Sequence, residues 1–212
     1  MFRTARTFKP HITLQPLINK GLRVGTFLTV LYIVGVAIGL VIYFSFPASL
    51  QSSFLVQIHT AISSLSPSTS PVHGAFTETT LEFILLFVIW IFAQTPIGTP
   101  FIVSLLFLRA VSTGLTFLAL VAAFGWRGLY FDLLAIAPSN ILTGGGFIFA
   151  ATVSVLLIRH RHSGGKSSLR YSVWVAYHSA VLLAAGLLFC SGKLETAATT
   201  HAFAWLHFSQ GR

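Results

Sequence analysis

"FILLFVIWIFAQTPIGTPFIVSLLFLRAVSTGLTFLALVAAFGW", residues Phe83 to Trp126, decides the fold. Its 44 residues contain one charge, Arg109. As a single helix the tract would extend about 66 Å. That is about twice the ~30 Å hydrocarbon thickness of a bilayer, so two crossings are expected. The break must fall where a helix cannot continue. "QTPIGTP" places Pro96, Gly98 and Pro100 within five residues, the strongest turn signal in the chain. "LFLRAVS", around Arg109, has no turn chemistry. The second span is therefore expected at about 79–95 and the third at about 100–124.

The composition supports a membrane class. The chain has 212 residues, 55% hydrophobic and only 8% charged, whereas soluble domains carry roughly a quarter charged residues. A net charge of +9 would suggest nucleic acid in a soluble protein. Here it fits the lysines and arginines that gather on the cytoplasmic side of membrane spans, and no nucleic-acid partner is expected. The single cysteine, Cys190, excludes an internal disulfide and a cysteine metal cluster.

Residues 24–46 read as an uncleaved first span preceded by a basic cytoplasmic segment, 1–23. After the third span, "GWRGLY" turns the chain. The fourth and fifth spans are expected at about 131–158 and 171–191. The expected architecture is all-α: a polytopic membrane bundle of five helices, with an outer loop at 47–78 and an outer interfacial tail at 197–212. Phe203, Trp205 and Phe208 would rest that tail on the headgroups. With the N-terminus inside, cytoplasmic segments hold Arg3, Arg6, Lys9, Lys20, Arg23, Arg159, Arg161, Lys166 and Arg170. The outer ones hold Arg127, Lys193 and Arg212. Nine against three places the N-terminus in the cytoplasm and the C-terminus outside.

Arg109 lies near mid-depth, where insertion costs roughly 2.5–3.5 kcal/mol, so it should face the bundle and hydrogen-bond there. The fourth span offers a partner: Pro138 deprives the Leu134 carbonyl of its donor, and Ser139 and Asn140 stand beside it. Glu82 and Asp132 are the nearby carboxylates, and the expected spans put both within about one turn of the outer surface. Two readings of Arg109 follow, a polar clasp between the third and fourth spans and an intramembrane passage site.

Catalytic signals are few. There is no Gly-x-Ser-x-Gly elbow, and Asp132 is the one aspartate, so an intramembrane aspartyl dyad is excluded. Glu78, Glu82, Asp132 and Glu195 form no recognisable carboxylate pair. In "RHRH", Arg159 to His162, the arginines would repel a divalent cation, and His178 reads as a hydrogen-bonded bundle histidine. "GGG" at Gly144–Gly146 suits close helix packing or a flexible break. No phosphate loop occurs, so any transport would need an external power source. No enzyme activity, cofactor or metal is expected.

One region resembles a known family. "IGTPFIVSLLFLRAVSTGLTFLALVAAFGWRGLYFDLLAIAPSNIL" is similar to stage II sporulation protein M. That family carries an Ile-Gly-x-Pro turn, an apolar helix with a basic residue, Gly-Trp-Lys/Arg-Gly, and Pro-Gln-Asn in the next helix. The matching residues here are Ile97, Gly98 and Pro100; Arg109; Gly125, Trp126, Arg127 and Gly128; and Pro138 and Asn140. Glu195 resembles the glutamate after the family's last span, and Ser139 stands where the family usually has glutamine. The resemblance covers about residues 80–196. It implies a non-enzymatic scaffold in the mother-cell septal and engulfing membrane. Such a scaffold anchors the sporulation proteins D and P, which remodel peptidoglycan during engulfment. The alternatives are a permease subunit of an ABC-type exporter and, from a third class, an intramembrane enzyme.

Overall fold

The computed structural model describes residues 15–64, 72–162 and 167–209. Arg3, Arg6, Lys9, Lys166 and Arg212 lie outside the described residues, as do the side chains of Glu78, Arg170, Phe203, Trp205 and Phe208. Among the described residues every regular element is helical, and no strand occurs. In chain order these are α1 (Gln15–Ser45), α2 (Ala48–Ser64), α3 (Val72–Ala93), α4 (Gly98–Phe124), α5 (Trp126–Phe131), a π-turn (Asp132–Ile136), α6 (Ala137–His162) and α7 (Ser167–Ser209). A chain this apolar has little choice, because only a helix satisfies its own backbone groups where water is absent.

Among the described residues, four stretches are long and apolar enough to cross a membrane: Asn19–Ser45, Gly98–Phe124, Trp126–Arg161 and Val173–Thr199. They agree with the expected first, third, fourth and fifth spans. The expected second span differs. The apolar part of α3, Thr80–Ala93, is shorter than those four. The helix itself begins at Val72 and has 22 residues, about 33 Å. Its first two turns run through "VHGAFTET", which carries no apolar pattern.

The segment read as an outer loop contains a helix. In α2, Leu50, Phe54, Leu55 and Ile58 recur at helical spacing. Ile58 packs with Leu120, Phe124, Phe131, Ala135, Ile136 and Ala198 in a small apolar cluster. The segment read as a tail is likewise helical, since α7 continues unbroken past Ser191 to Ser209.

The main core joins α1, α3, α4, α6 and α7 through Leu28, Leu86, Ile89, Ile102, Leu106, Phe147, Tyr177 and Leu188. α3 and α4 form an antiparallel hairpin whose rings Phe92 and Phe101 stack at 4.7 Å. Arg161, near the end of α6, closes the same end of the bundle. It donates from Nη1 to the Gln94 carbonyl at 3.1 Å and from Nη2 to Gln94 Oε1 at 2.8 Å.

The closest helix contact is between α1 and α4. A Cβ at Gly39 would strike the Val111 carbonyl, one at Gly114 would strike the Val36 carbonyl, and one at Gly35 would sit 2.7 Å from Ala110 Cβ. Gly35-x-x-x-Gly39 on α1 thus faces Ala110-x-x-x-Gly114 on α4, the small-residue spacing that lets two membrane helices pack backbone to backbone. Because 35 meets 110 and 39 meets 114, the two helices run parallel.

Candidate functional site

Arg109 is held by α3. Its Nη2 donates to Glu82 Oε1 at 2.9 Å, and the side chains are 24% and 14% exposed. This corrects the partner expected on α6, and the reason is geometric. Glu82 lies eleven residues before Ala93, the end of α3, and Arg109 eleven residues after Gly98, the start of α4. Residues equidistant from a tight antiparallel turn sit at one level, here about 16 Å from the turn. The expected span had begun at 79, leaving Glu82 close to an end. With α3 starting at Val72, it is near the middle.

The pair is a charge-assisted contact between two helices, which the arginine needs at that depth. The Arg109 Nε is buried without a partner. The Arg109 carbonyl accepts from Thr113 Oγ1 at 3.0 Å, and Thr113 Oγ1 lies 3.5 Å from the Tyr32 hydroxyl of α1.

The residues expected around Pro138 do other work. The helical ladder widens into the π-turn, where Ala137 N–H donates to the Asp132 carbonyl, immediately before Pro138, which has no N–H to give. Ser139, fully buried, donates from Oγ to the Ile136 carbonyl at 2.8 Å and lies 3.2 Å from Glu195 Oε2 on α7. Ser191 Oγ donates to the Ser139 carbonyl at 2.8 Å, and Thr143 Oγ1 is 2.6 Å from Ser191 Oγ. Since the Ser191 proton goes to the carbonyl, Thr143 is the donor of that last bond. Ser139, Thr143, Ser191 and Glu195 therefore form a polar seam between α6 and α7. Asn140 does not join it; it lines a separate cleft.

The motif glycines answer steric needs. A Cβ at Gly98 would strike the Phe92 carbonyl across the α3–α4 turn, and one at Gly128 would strike the Leu120 carbonyl. Gly125 has φ +59° and ψ −136°, a backbone region open essentially to glycine alone. It ends α4 and lets α5 begin at once. Pro100 occupies the first turn of α4, where no intrahelical partner for its N–H is needed. Trp126 is 76% exposed at an end of the apolar stretch, a position suited to a headgroup anchor.

His178 donates from Nδ1–H to the Trp174 carbonyl at 2.8 Å and meets the Trp90 ring edge-on, as a bundle histidine. Of the three consecutive glycines, Gly144 packs against the Tyr32 ring, Gly146 makes ordinary contacts with α7, and Gly145 has open space beside it.

That space is a cleft of about 490 Å³ between α1, α4 and α6, lined by Tyr32, Phe117, Asp132, Asn140, Ile141 and Gly145 among others. The structure thus separates the candidate residues into three places: the Glu82–Arg109 pair, the α6–α7 seam with Glu195, and the cleft with Asp132 and Asn140. Glu82 reads from sequence as too near the outer surface to partner Arg109, and the Gly35/Gly39/Gly114 crossing and Ser191 with Thr143 were missed. The first had a signal in its distance from the turn and the second in the four-residue spacing of small residues. The seam needed the register of α6 on α7.

Among the described residues, these features define an all-helical bundle with four helices long and apolar enough to cross a membrane, joined by ionic and hydroxyl contacts. No family model, no curated protein and no solved structure matches the chain.

Proposed function

We propose that the protein is a five-span cell-membrane scaffold, N-terminus cytoplasmic and C-terminus outside, related to stage II sporulation protein M. In this reading it is not an enzyme. It holds peptidoglycan-remodelling partners of the sporulation D and P type at the septal and engulfing membrane of the mother cell. The observation that carries the reading is where the resembling residues lie. Gly98, Gly125 and Gly128 stand where a side chain is not tolerated, and Arg109 and Glu195 each contact a neighbouring helix. Such a motif serves to build a bundle, not to assemble a reaction centre.

Three features support α3 as the additional crossing. At about 33 Å it is long enough, it packs against α4, α6 and α7, and its charged residue at mid-length is neutralised from α4. The nine-to-three charge asymmetry supports the orientation. On the outer side this arrangement leaves α2 and the end of α7 available for partners.

Tagged protein purified in mild detergent from sporulating cells of its host is expected to retain D- or P-type wall-remodelling proteins. Repeated purification without either would contradict the scaffold reading, whatever the span count.

A further inference from the structure

We propose that the cleft between α1, α4 and α6 binds a single amine-headed membrane lipid, its ammonium group held by Asp132 and one hydrocarbon chain lying along α6. Asp132 is only 4% exposed and lines this cleft. Among the described residues no hydrogen bond or ion pair reaches its carboxylate. A carboxylate withdrawn this far needs a donor. An ammonium supplies three donors and the opposite charge.

The depth suits a headgroup. Trp126–Arg161 is 36 residues, about 54 Å, exceeding the ~30 Å hydrocarbon layer by about 12 Å at each end. Asp132 lies six residues in from Trp126, about 9 Å, and so falls in the interfacial zone. Asn140 lines the same cleft about 12 Å further in, and Tyr32 faces Gly144 at the level of Thr113.

The shape of the cleft suits a lipid chain. From Asp132 to Ile148 the cleft follows α6 for sixteen residues, about 24 Å. Spread over that length, a volume of about 490 Å³ makes the cleft long and narrow. An extended hydrocarbon chain fits. Gly145, with nothing within 4 Å of a Cβ position, keeps the floor open, and Phe117 and Ile141 supply apolar walls.

The test uses the full-length protein in detergent, titrated with dioleoyl-phosphatidylethanolamine or dioleoyl-phosphatidylglycerol and read by native mass spectrometry. The ethanolamine lipid is expected to bind at one per chain and the glycerol lipid more weakly. Asp132→Asn should weaken ethanolamine-lipid binding about tenfold, removing a charge-assisted contact, with little effect on the glycerol lipid. Gly145→Phe should block both by filling the floor, and it serves if Asp132→Asn does not fold. Equal binding of the two lipids, or undiminished binding to both variants, would overturn the proposal. So would crosslinking in membranes from position 141 to another protein in place of lipid.

Discussion

An Arg109→Leu variant is expected to lose about 3–5 kcal/mol of bundle stability, the cost of removing one member of a buried ion pair. The loss follows from what remains. The Glu82 carboxylate, 14% exposed and facing α4, would lose the guanidinium that neutralises it at mid-depth. Glu82→Leu should cost a similar amount, stranding a guanidinium whose Nε already lacks a partner. The double variant Glu82→Leu/Arg109→Leu should recover most of the stability, because an apolar pair of similar volume removes both desolvation costs. Reversible unfolding in mixed micelles measures all three. A passage site gives a different pattern: the double variant would be stable, but any transport by reconstituted vesicles would vanish. A loss in the double equal to the sum of the two single losses would show that the pair does not couple α3 to α4.

Gly39→Leu should be the next most damaging change, costing about 3 kcal/mol, the upper end for overpacking. The neighbour of the new side chain is the Val111 backbone, which cannot rotate away. α1 and α4 must therefore separate along their closest contact. Gly186→Ala is the control, since nothing lies within 4 Å of its Cβ position. It should be neutral or stabilise by about 0.5–1 kcal/mol through the better helix propensity of alanine. The same unfolding assay reads both; a loss for Gly186→Ala as large as that for Gly39→Leu would contradict the crossing.

The class of fold was legible because hydropathy is a local property. The tract around Pro96, Gly98 and Pro100 fixed the α3–α4 hairpin, with α4 beginning at Gly98. Helices that cross into polar sequence were harder to read. α2 was obscured by its serines and threonines although its apolar spacing is helical, and α3 extends through "VHGAFTET" with no pattern to mark it. That missing stretch is why Glu82 seemed too near a surface to reach Arg109. The polar seam was less accessible still. Ser139 lies more than fifty residues from Ser191 and Glu195 across the α6–α7 pair, and only the packing of those helices brings them together.

The central claim is that α3 crosses the membrane, so that the chain passes through it five times with its ends on opposite sides. Single cysteines at Thr7, Ser68, Thr95, Ser163 and Ser209, introduced in a Cys190→Ser background and probed in intact cells with a membrane-impermeant maleimide, test it directly. Five crossings predict labelling at Ser68 and Ser209, with Thr7, Thr95 and Ser163 protected until the membrane is permeabilised. Labelling of Thr95 and Ser163 from outside, with Ser209 protected, would mean that α3 does not cross and would contradict the account.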